Sequence, residues 1–508
     1  MNSLIIYLAV LILSTPLLTS SSLVSPTIPL FRRTRVFGYE SEPETTSPPM
    51  ANELKTFFYN QTIDHFTYSP ESYHTFSQRY YVKKSYYGGE KSPIFVYLGA
   101  EDALNLEDGS FGIGFLEEHA PQFKALIVYI EHRFYGKSNP LGSMKRSMKN
   151  AKVRGYLNSA QALADYAELI LDVKKQFNAT HSPVIVFGVS YGGMLATWFR
   201  LKYPHIALGA LASSAPILQH TISTDAYLEV VTKDYRDKSE HCYKTIKESW
   251  KQILNLGSQS IGLSILNKKL NTCRPLSKER IIDFLLETYM NAAQYDNPPH
   301  NPVARICKGI DGAPKSTDAI DKVYAGLLSL SGNVSCFKGS ELSQVPGTQS
   351  KAESISDISL GWPWQTCCEM VYWAPVSVNI NDTGSMFSDI IEPFDVKAIM
   401  QECYATYGVL PRPNWVQSYY GGQDIKLVLK RFGSNIIFSN GLRDPYSRAG
   451  VLEDLSDTLK AIYTPQGAHG LDMCMTLTND LEWLITMRKK EVQIIQGWLT
   501  QYYADLNI

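Results

Sequence analysis

The chain has 508 residues, 48 Lys plus Arg against 49 Asp plus Glu, and 44% apolar residues. Such balanced charge excludes a basic nucleic-acid surface or an anionic-membrane face as its main business. The length suits two domains, or one domain with a long insertion.

Residues 1–22 are an apolar stretch followed by small polar residues, and read as a secretory signal peptide. Pro16 and the short run argue against a membrane span there, and no later run of about eighteen apolar residues provides one. Residues 23–50, rich in Pro, Ser and Thr and carrying Arg32-Arg33-Thr34-Arg35, read as a propeptide or flexible leader. Four glycosylation sequons, at Asn60, Asn178, Asn333 and Asn381, agree with a secretory route to a lysosome, a vacuole or the extracellular space. The eight cysteines include no C-x-x-C pair, so disulfides are expected rather than a metal site.

Thr75 to Val82 alternates apolar and polar residues as an antiparallel strand does. Two continuous apolar runs follow, Ile94 to Leu98 and Ala125 to Ile130, ending in Gly99-Ala100-Glu101 and Glu131-His132-Arg133. Asn158 to Phe177 predicts an amphipathic helix with Leu163, Tyr166, Ala167, Ile170 and Val173 on one face, Asn158 and Gln161 resembling a capping box. Val184 to Phe187 predicts a buried strand that breaks at Gly188-Val189-Ser190-Tyr191-Gly192-Gly193. Met194, Trp198 and Leu201 then recur at helical spacing up to Pro204, and Ala207 to Ala212 predicts the next strand. From about 221 to 342 the pattern turns helical, with Tyr243 to Leu254, Lys278 to Asn291 and Ala319 to Leu330 as the clearest stretches. Alternation resumes with a strand at Asn435 to Phe438, a helical segment at Leu452 to Leu459, a strand at Leu459 to Tyr463 and a helix from Leu481 to Tyr502. Strands alternating with helices imply an α/β fold whose mostly parallel sheet is covered on both faces, with a site at the carboxyl ends of its strands.

Gly188 to Gly193 has the form of a nucleophile elbow, a sharp strand-to-helix turn that exposes a serine. The helix amino terminus stabilises negative charge, and the Tyr191 N–H points where a tetrahedral oxyanion would form. A serine needs a base, and the base needs an acid to fix its tautomer. Among histidines after Ser190, His205 ends the elbow helix, His241 and His300 belong to the helical stretch, and His220 precedes any late acid. His469 remains, in the turn-rich Thr464 to Gly470, just after the last predicted strand. Asp444 directly follows the penultimate strand, with Asp472 as a rival acid.

At these residues the chain resembles the prolyl carboxypeptidase and dipeptidyl peptidase II family of serine exopeptidases. The resemblance runs through Gln61 to Phe66, Thr75 to Tyr80, Glu131 to Gly136, Tyr156-Leu157 with Gln161 to Asp165, the elbow, Ser213 to Pro216, Asn440-Gly441 with Asp444-Pro445, and Gly467 to His469. It implies an α/β-hydrolase fold with an inserted helical cap, here 221–342, between core parts at 51–220 and 343–508. It also implies Ser190 as nucleophile, Asp444 as acid and His469 as base, no metal or organic cofactor, and peptide substrates; a homodimer stays open. The implied activity is release of a C-terminal residue after a penultimate proline. The alternatives are release of N-terminal dipeptides ending in Pro or Ala, simple ester hydrolysis, and a catalytically inactive binding protein on the same fold. Met194, Trp373 and Tyr446 are candidates for an apolar slot that holds the proline ring, and Cys242–Cys307, Cys273–Cys336 and Cys367–Cys403 are the implied disulfides. Cys368 and Cys474 are extra to that pattern. Gly99-Ala100-Glu101-Asp102 departs from the family's Asn-Glu-Gly turn, which leaves the second oxyanion donor open.

Overall fold

A computed structural model describes residues 53–106, 113–332, 334–339, 353–371, 384–391, 395–421 and 424–506. The expected signal peptide and leader, and Asn333, Trp373 and Asn381, lie outside them.

Eight strands form one sheet: β1 (Lys55–Thr62), β2 (Thr75–Lys83), β3 (Ile94–Leu98), β4 (Leu126–Ile130), β5 (Val184–Val189), β6 (Gly209–Ser213), β7 (Ile436–Gly441) and β8 (Leu459–Thr464). Their order is β1-β2-β4-β3-β5-β6-β7-β8. The β1–β2 and β2–β4 pairs are antiparallel and all later pairs are parallel. Alternate residues serve opposite faces, as a strand's two-residue period requires. Ile94, Val96, Leu98, Val184 and Val186 join one core cluster, while Phe95, Tyr97, Ile185, Phe187 and Val189 join another. Both faces are covered, so the central strands read as continuous apolar runs. With each such side chain worth about 1.5–3 kcal/mol when buried, these strands anchor the fold.

The sheet-side helices include α1 (Phe115–Phe123), the short α2 (Met144–Lys149) and α3 (Ala151–Arg154), α4 (Ser159–Gln176) and α5 (Tyr191–Lys202). Between β6 and β7 the described residues contain α6 (Ala226–Lys238), α7 (Glu240–Gly257), α8 (Ser260–Lys269), α9 (Lys278–Gln294), α10 (Pro302–Gly312), α11 (Ala319–Ser331), α12 (Glu353–Cys368), α13 (Val396–Tyr407), α14 (Trp415–Tyr420) and α15 (Ile425–Phe432). The final helix is α16 (Glu482–Asp505). Although the next strand begins only at Ile436, α12 packs back on the sheet side, where Trp364 meets Phe134, Tyr135, Met144 and Leu157. The alternating architecture is that of an α/β hydrolase with helices inserted after β6.

Disulfides join Cys242 to Cys307, Cys273 to Cys336 and Cys367 to Cys403. The first links α7 to α10 across 65 residues, a loop closure worth about 4 kcal/mol in the chain-entropy account. Cys368 and Cys474 take no part in these disulfides. Among the described residues, no helix is long and apolar enough to cross a membrane.

Three local expectations differ from the structure. The helix expected at Leu452 to Leu459 is irregular chain, and a 3-10 turn at Pro445–Ala449 lies before it. There Asp454 bonds forward, its Oδ1 accepting from Ala461 N at 2.9 Å and its Oδ2 from Lys460 Nζ, an outlet that competes with helix formation. The capping box on α4 is half formed. Asn158 accepts from Gln161 N at 3.0 Å, but the Gln161 side chain reaches Asp64 and His65 instead of turning back. Strand β1 has no counterpart among the predicted elements: four of its eight side chains are exposed, and the one fully buried position, Gln61, is polar.

Candidate active site

The elbow comes first because its geometry follows from its glycines. Ser190 caps the amino end of α5 with φ 59 and ψ −126, a conformation costly for a residue with a side chain. Neighbouring bonds hold it there: Ser190 N donates to Ser213 O at 2.9 Å, and Met194 N donates to Ser190 O at 3.0 Å. A Cβ on Gly188 would lie 2.0 Å from Gly192 O, so strand and helix could not meet at this turn with any larger residue. Ser190 is only 9% exposed, at the carboxyl end of β5.

Tyr191 follows it, and its N–H is the first of the helix. The ring is fully buried and locked from three sides. Gln365 Nε2 donates to its hydroxyl at 3.0 Å, His132 Nε2 lies 3.2 Å from the same oxygen, and Trp362 packs on the ring. Burial pushes the His132 imidazole down to about 4, so this ring is neutral near pH 7.

Asp444 and His469 stand on adjacent strand ends. His469 Nδ1 lies 2.6 Å from Asp444 Oδ2, and both side chains are buried. The other Asp444 oxygen accepts from Tyr446 N at 3.0 Å, which orients the carboxylate. Backbone bonds zip the two loops together, Leu442 N to Thr464 O at 2.8 Å and Arg443 N to Gly467 O at 3.0 Å. A Cβ on Gly441 would meet Gly467 O at 2.2 Å, so a glycine at the end of β7 is what allows the His469 loop this close. The rival acid Asp472 is engaged elsewhere, accepting from Ser213 Oγ at 2.6 Å. His469 Nε2 is enclosed and has no hydrogen-bond partner among the described residues. A neutral imidazole with Nδ1–H held by a carboxylate presents a basic Nε2, the arrangement a serine nucleophile requires.

The helical segment also grips this histidine, through residues that no local motif announced. His469 N donates to Gln294 O at 3.0 Å, and Ala468 N donates to Asn297 Oδ1 at 3.1 Å. The Tyr295 ring meets the His469 ring edge-on at 5.8 Å. Arg443 bonds Asp296 and lies 3.7 Å from Asp234 of α6. The cue available was the turn-rich Asp296-Asn297-Pro298-Pro299 after a helix, which says turn but names no partner.

Of the slot candidates, Tyr446 packs against His469 at 5.6 Å between centroids and against Tyr227 at 4.9 Å. Met194 lies in the core, one turn past Ser190 on α5. Asn60 and Asn178 are both exposed. Chain leaving β3 runs beside the elbow, since a Cβ on Gly192 would lie 3.1 Å from Leu98 O and 3.4 Å from Ala100 Cβ. Glu101 Oε2 is enclosed without a partner among the described residues, and burial pushes this carboxyl up to about 7 against the pull of its own backbone and of His469.

The family model described as serine carboxypeptidase S28 matches residues 61–491. The chain is 34% identical to the human lysosomal Pro-X carboxypeptidase, over 90% of this chain and 91% of that one. It is 32% identical to prolyl carboxy peptidase like protein 5 of Caenorhabditis elegans, over 84% and 86% of the two chains. With the mouse thymus-specific serine protease it shares 29% identity, over 86% of each.

Proposed function

The chain belongs to the serine carboxypeptidase S28 family, and from that premise we propose that it releases the C-terminal residue that follows a penultimate proline. It is a serine-type peptidase, and peptides are its substrates. The observation that carries the finer reading is the buried Asp444–His469 pair with an unengaged Nε2.

His469 Nε2 takes the Ser190 Oγ proton as Oγ attacks the proline carbonyl carbon. The resulting oxyanion is met by the Tyr191 N–H, whose ring is locked by Gln365, His132 and Trp362. Collapse breaks the C–N bond, and His469 passes its proton to the leaving amine. Water then attacks the acyl-enzyme with His469 as base again and restores Ser190. The steps draw on no metal or cofactor. Tyr446 and Met194 remain the proposed walls for the proline ring, with Trp373 outside the described residues. The relatives named lysosomal and the disulfide-stapled helical insertion support action in a lysosome or along the secretory route.

Product analysis of two proline peptides tests this reading. One is acetylated at its N-terminus and the other amidated at its C-terminus. The expected result is loss of the last residue from the acetylated peptide. Release of an N-terminal dipeptide from the amidated peptide, with the acetylated one intact, would overturn it in favour of an aminodipeptidase.

A further inference from the structure

Two buried acids lie beneath the catalytic residues, and the chemistry described so far uses neither. Ser213 on β6 and Ser439 on β7 are register partners, so their side chains share one face of the sheet on strands about 4.8 Å apart. Ser213 Oγ donates to Asp472 Oδ1 at 2.6 Å, and Ser439 Oγ donates to Glu491 Oε1 of α16 at 2.7 Å. The Ser439 hydroxyl also meets the Asp472 carboxyl, so one hydroxyl stands between the two acids. All four residues are buried, and Asp472 Oδ2 and Glu491 Oε2 have no hydrogen-bond partner among the described residues.

The donors at hand cannot serve two carboxylates. A hydroxyl has one proton to give, and that of Ser439 goes to Glu491. Arg488, one turn before Glu491 on α16, is the nearby cation, yet its five N–H groups are spent elsewhere. Its Nε donates to Asp472 O at 2.8 Å, Nη1 to Thr476 Oγ1 at 3.1 Å and Asp480 Oδ2 at 2.7 Å, and Nη2 to Leu471 O at 3.1 Å and Cys474 O at 2.7 Å. Beyond it on α1, burial pushes the His119 imidazole down, and Glu118 accepts from Thr476 N at 2.6 Å. Two adjacent buried anions without a bonded cation are costly, whereas a proton on one acid supplies the missing donor and completes a chain from acid to hydroxyl to acid. Burial raises both carboxyls, and the charge of Asp472 raises Glu491 further, which supports a retained proton.

This pair is joined to both ends of the catalytic proton transfer. Ser213 O accepts from Ser190 N at 2.9 Å, so Ser213 holds the nucleophile by its carbonyl and Asp472 by its hydroxyl. Asp472 stands three residues beyond His469, and between them Gly470 N donates to Ser214 Oγ at 2.9 Å. We propose that Asp472 and Glu491 hold one proton between them and, in that state, act as positioning residues that keep the His469 loop aligned with Ser190. Loss of the proton as pH rises sets two buried anions against each other, weakens the hold of Asp472 on Ser213 and lets base and nucleophile drift apart. This rests on the roles given above to Ser190 and His469, and not on which end of the peptide is cut.

The test follows kcat, KM and Tm from about pH 5 to about pH 9, with whichever of the two proline peptides the wild type cuts. Wild-type kcat should fall about 10-fold or more over the upper part of that range with KM nearly constant. Tm should fall with it, since an acid that keeps its proton in the native state contributes stability that is lost as pH rises. Glu491→Gln keeps a neutral donor at every pH, so it should cost only a few-fold at acidic pH, flatten the fall in kcat and lessen the fall in Tm. Glu491→Ala removes the donor and should lose about 10-fold in kcat already at acidic pH. In the infrared, the wild type near neutral pH should show the C=O stretch of a protonated carboxyl that Glu491→Gln lacks. A fall in kcat as steep in Glu491→Gln as in the wild type overturns the proposal, as do identical carboxyl bands in the two proteins. A Glu491→Gln protein that is unfolded or inactive at acidic pH overturns it too, because glutamine offers the same donor as the protonated acid. Failure of the underlying roles looks different: Ser190→Ala would keep its rate.

Discussion

The floor and the roof of the site are held by different means. On the floor, Ser190 and Asp444 stand on strand ends whose register is set by backbone bonds, Ser190 N to Ser213 O, Ser214 N to Ser439 O and Leu442 N to Thr464 O. The roof reaches His469 chiefly through polar groups at the end of α9, namely the Gln294 carbonyl, the Asn297 side chain and the Asp296–Arg443 pair. A point substitution cannot remove a backbone register, but it can remove a side-chain grip. Changes on the floor should therefore act on chemistry alone, and changes in the roof should act on alignment.

The sharpest way to break that contrast is at the floor. Ser190→Ala is expected to lower kcat by about 10^4–10^6-fold, and Asp444→Asn by about 10^4-fold through the wrong His469 tautomer. Both should unfold within a few degrees of wild type, because neither touches the strand register. Steady-state kinetics and thermal unfolding check this together. A serine variant that retained its rate would remove Ser190 from the chemistry. A large fall in Tm would show that the floor depends on these side chains for its shape.

Asn297→Ala probes the roof. It deletes the acceptor on Ala468 N, one residue before the base, and leaves the sheet untouched. The expected effect is a fall of about 10-fold in kcat, since a small misplacement of a catalytic group is enough for that. The stability cost should be about 1 kcal/mol, that of one hydrogen bond. An unchanged kcat would mean that the β8 loop aligns His469 without help, and the division into floor and roof would collapse.

The same contrast explains what could be read in advance. Ser190 and Asp444 each follow an apolar run that is a buried strand, and His469 follows the half-buried edge strand β8, so local pattern placed all three after strand ends. The elbow glycines carry their own steric reason. Tyr295, by contrast, meets His469 and Asn297 meets Ala468 across more than 170 residues of chain, and nothing near them in sequence specifies those contacts. The helix expected at Leu452 to Leu459, where the chain is irregular, has a similar origin. Asp454 spends its side chain on β8, a partner that periodicity does not register.

The smallest expected effect concerns how pH loads the roof. Asp234 is buried beside Arg443 and Asp296, and its Oδ2 has no partner among the described residues. Burial pushes this carboxyl up to about 8, against the pull of Arg443 and with help from Asp296. An acid raised in this way keeps a proton in the native state that the unfolded chain has released, so stability falls as pH rises between the two values. The contribution is complete below the unfolded value near 3.8, declines through neutrality, and levels off above about 8. Asp234→Asn keeps the shape and removes the titration. From about pH 5 to about pH 8 the wild-type Tm should fall a few degrees further than that of the variant, at roughly 2–4 °C per kcal/mol or less for a chain of this size. Thermal unfolding of both proteins across that range decides the point. Parallel curves would mean that Asp234 is already ionised in the native state, so that a charge pair with Arg443, and not a neutral acid, closes the roof over His469.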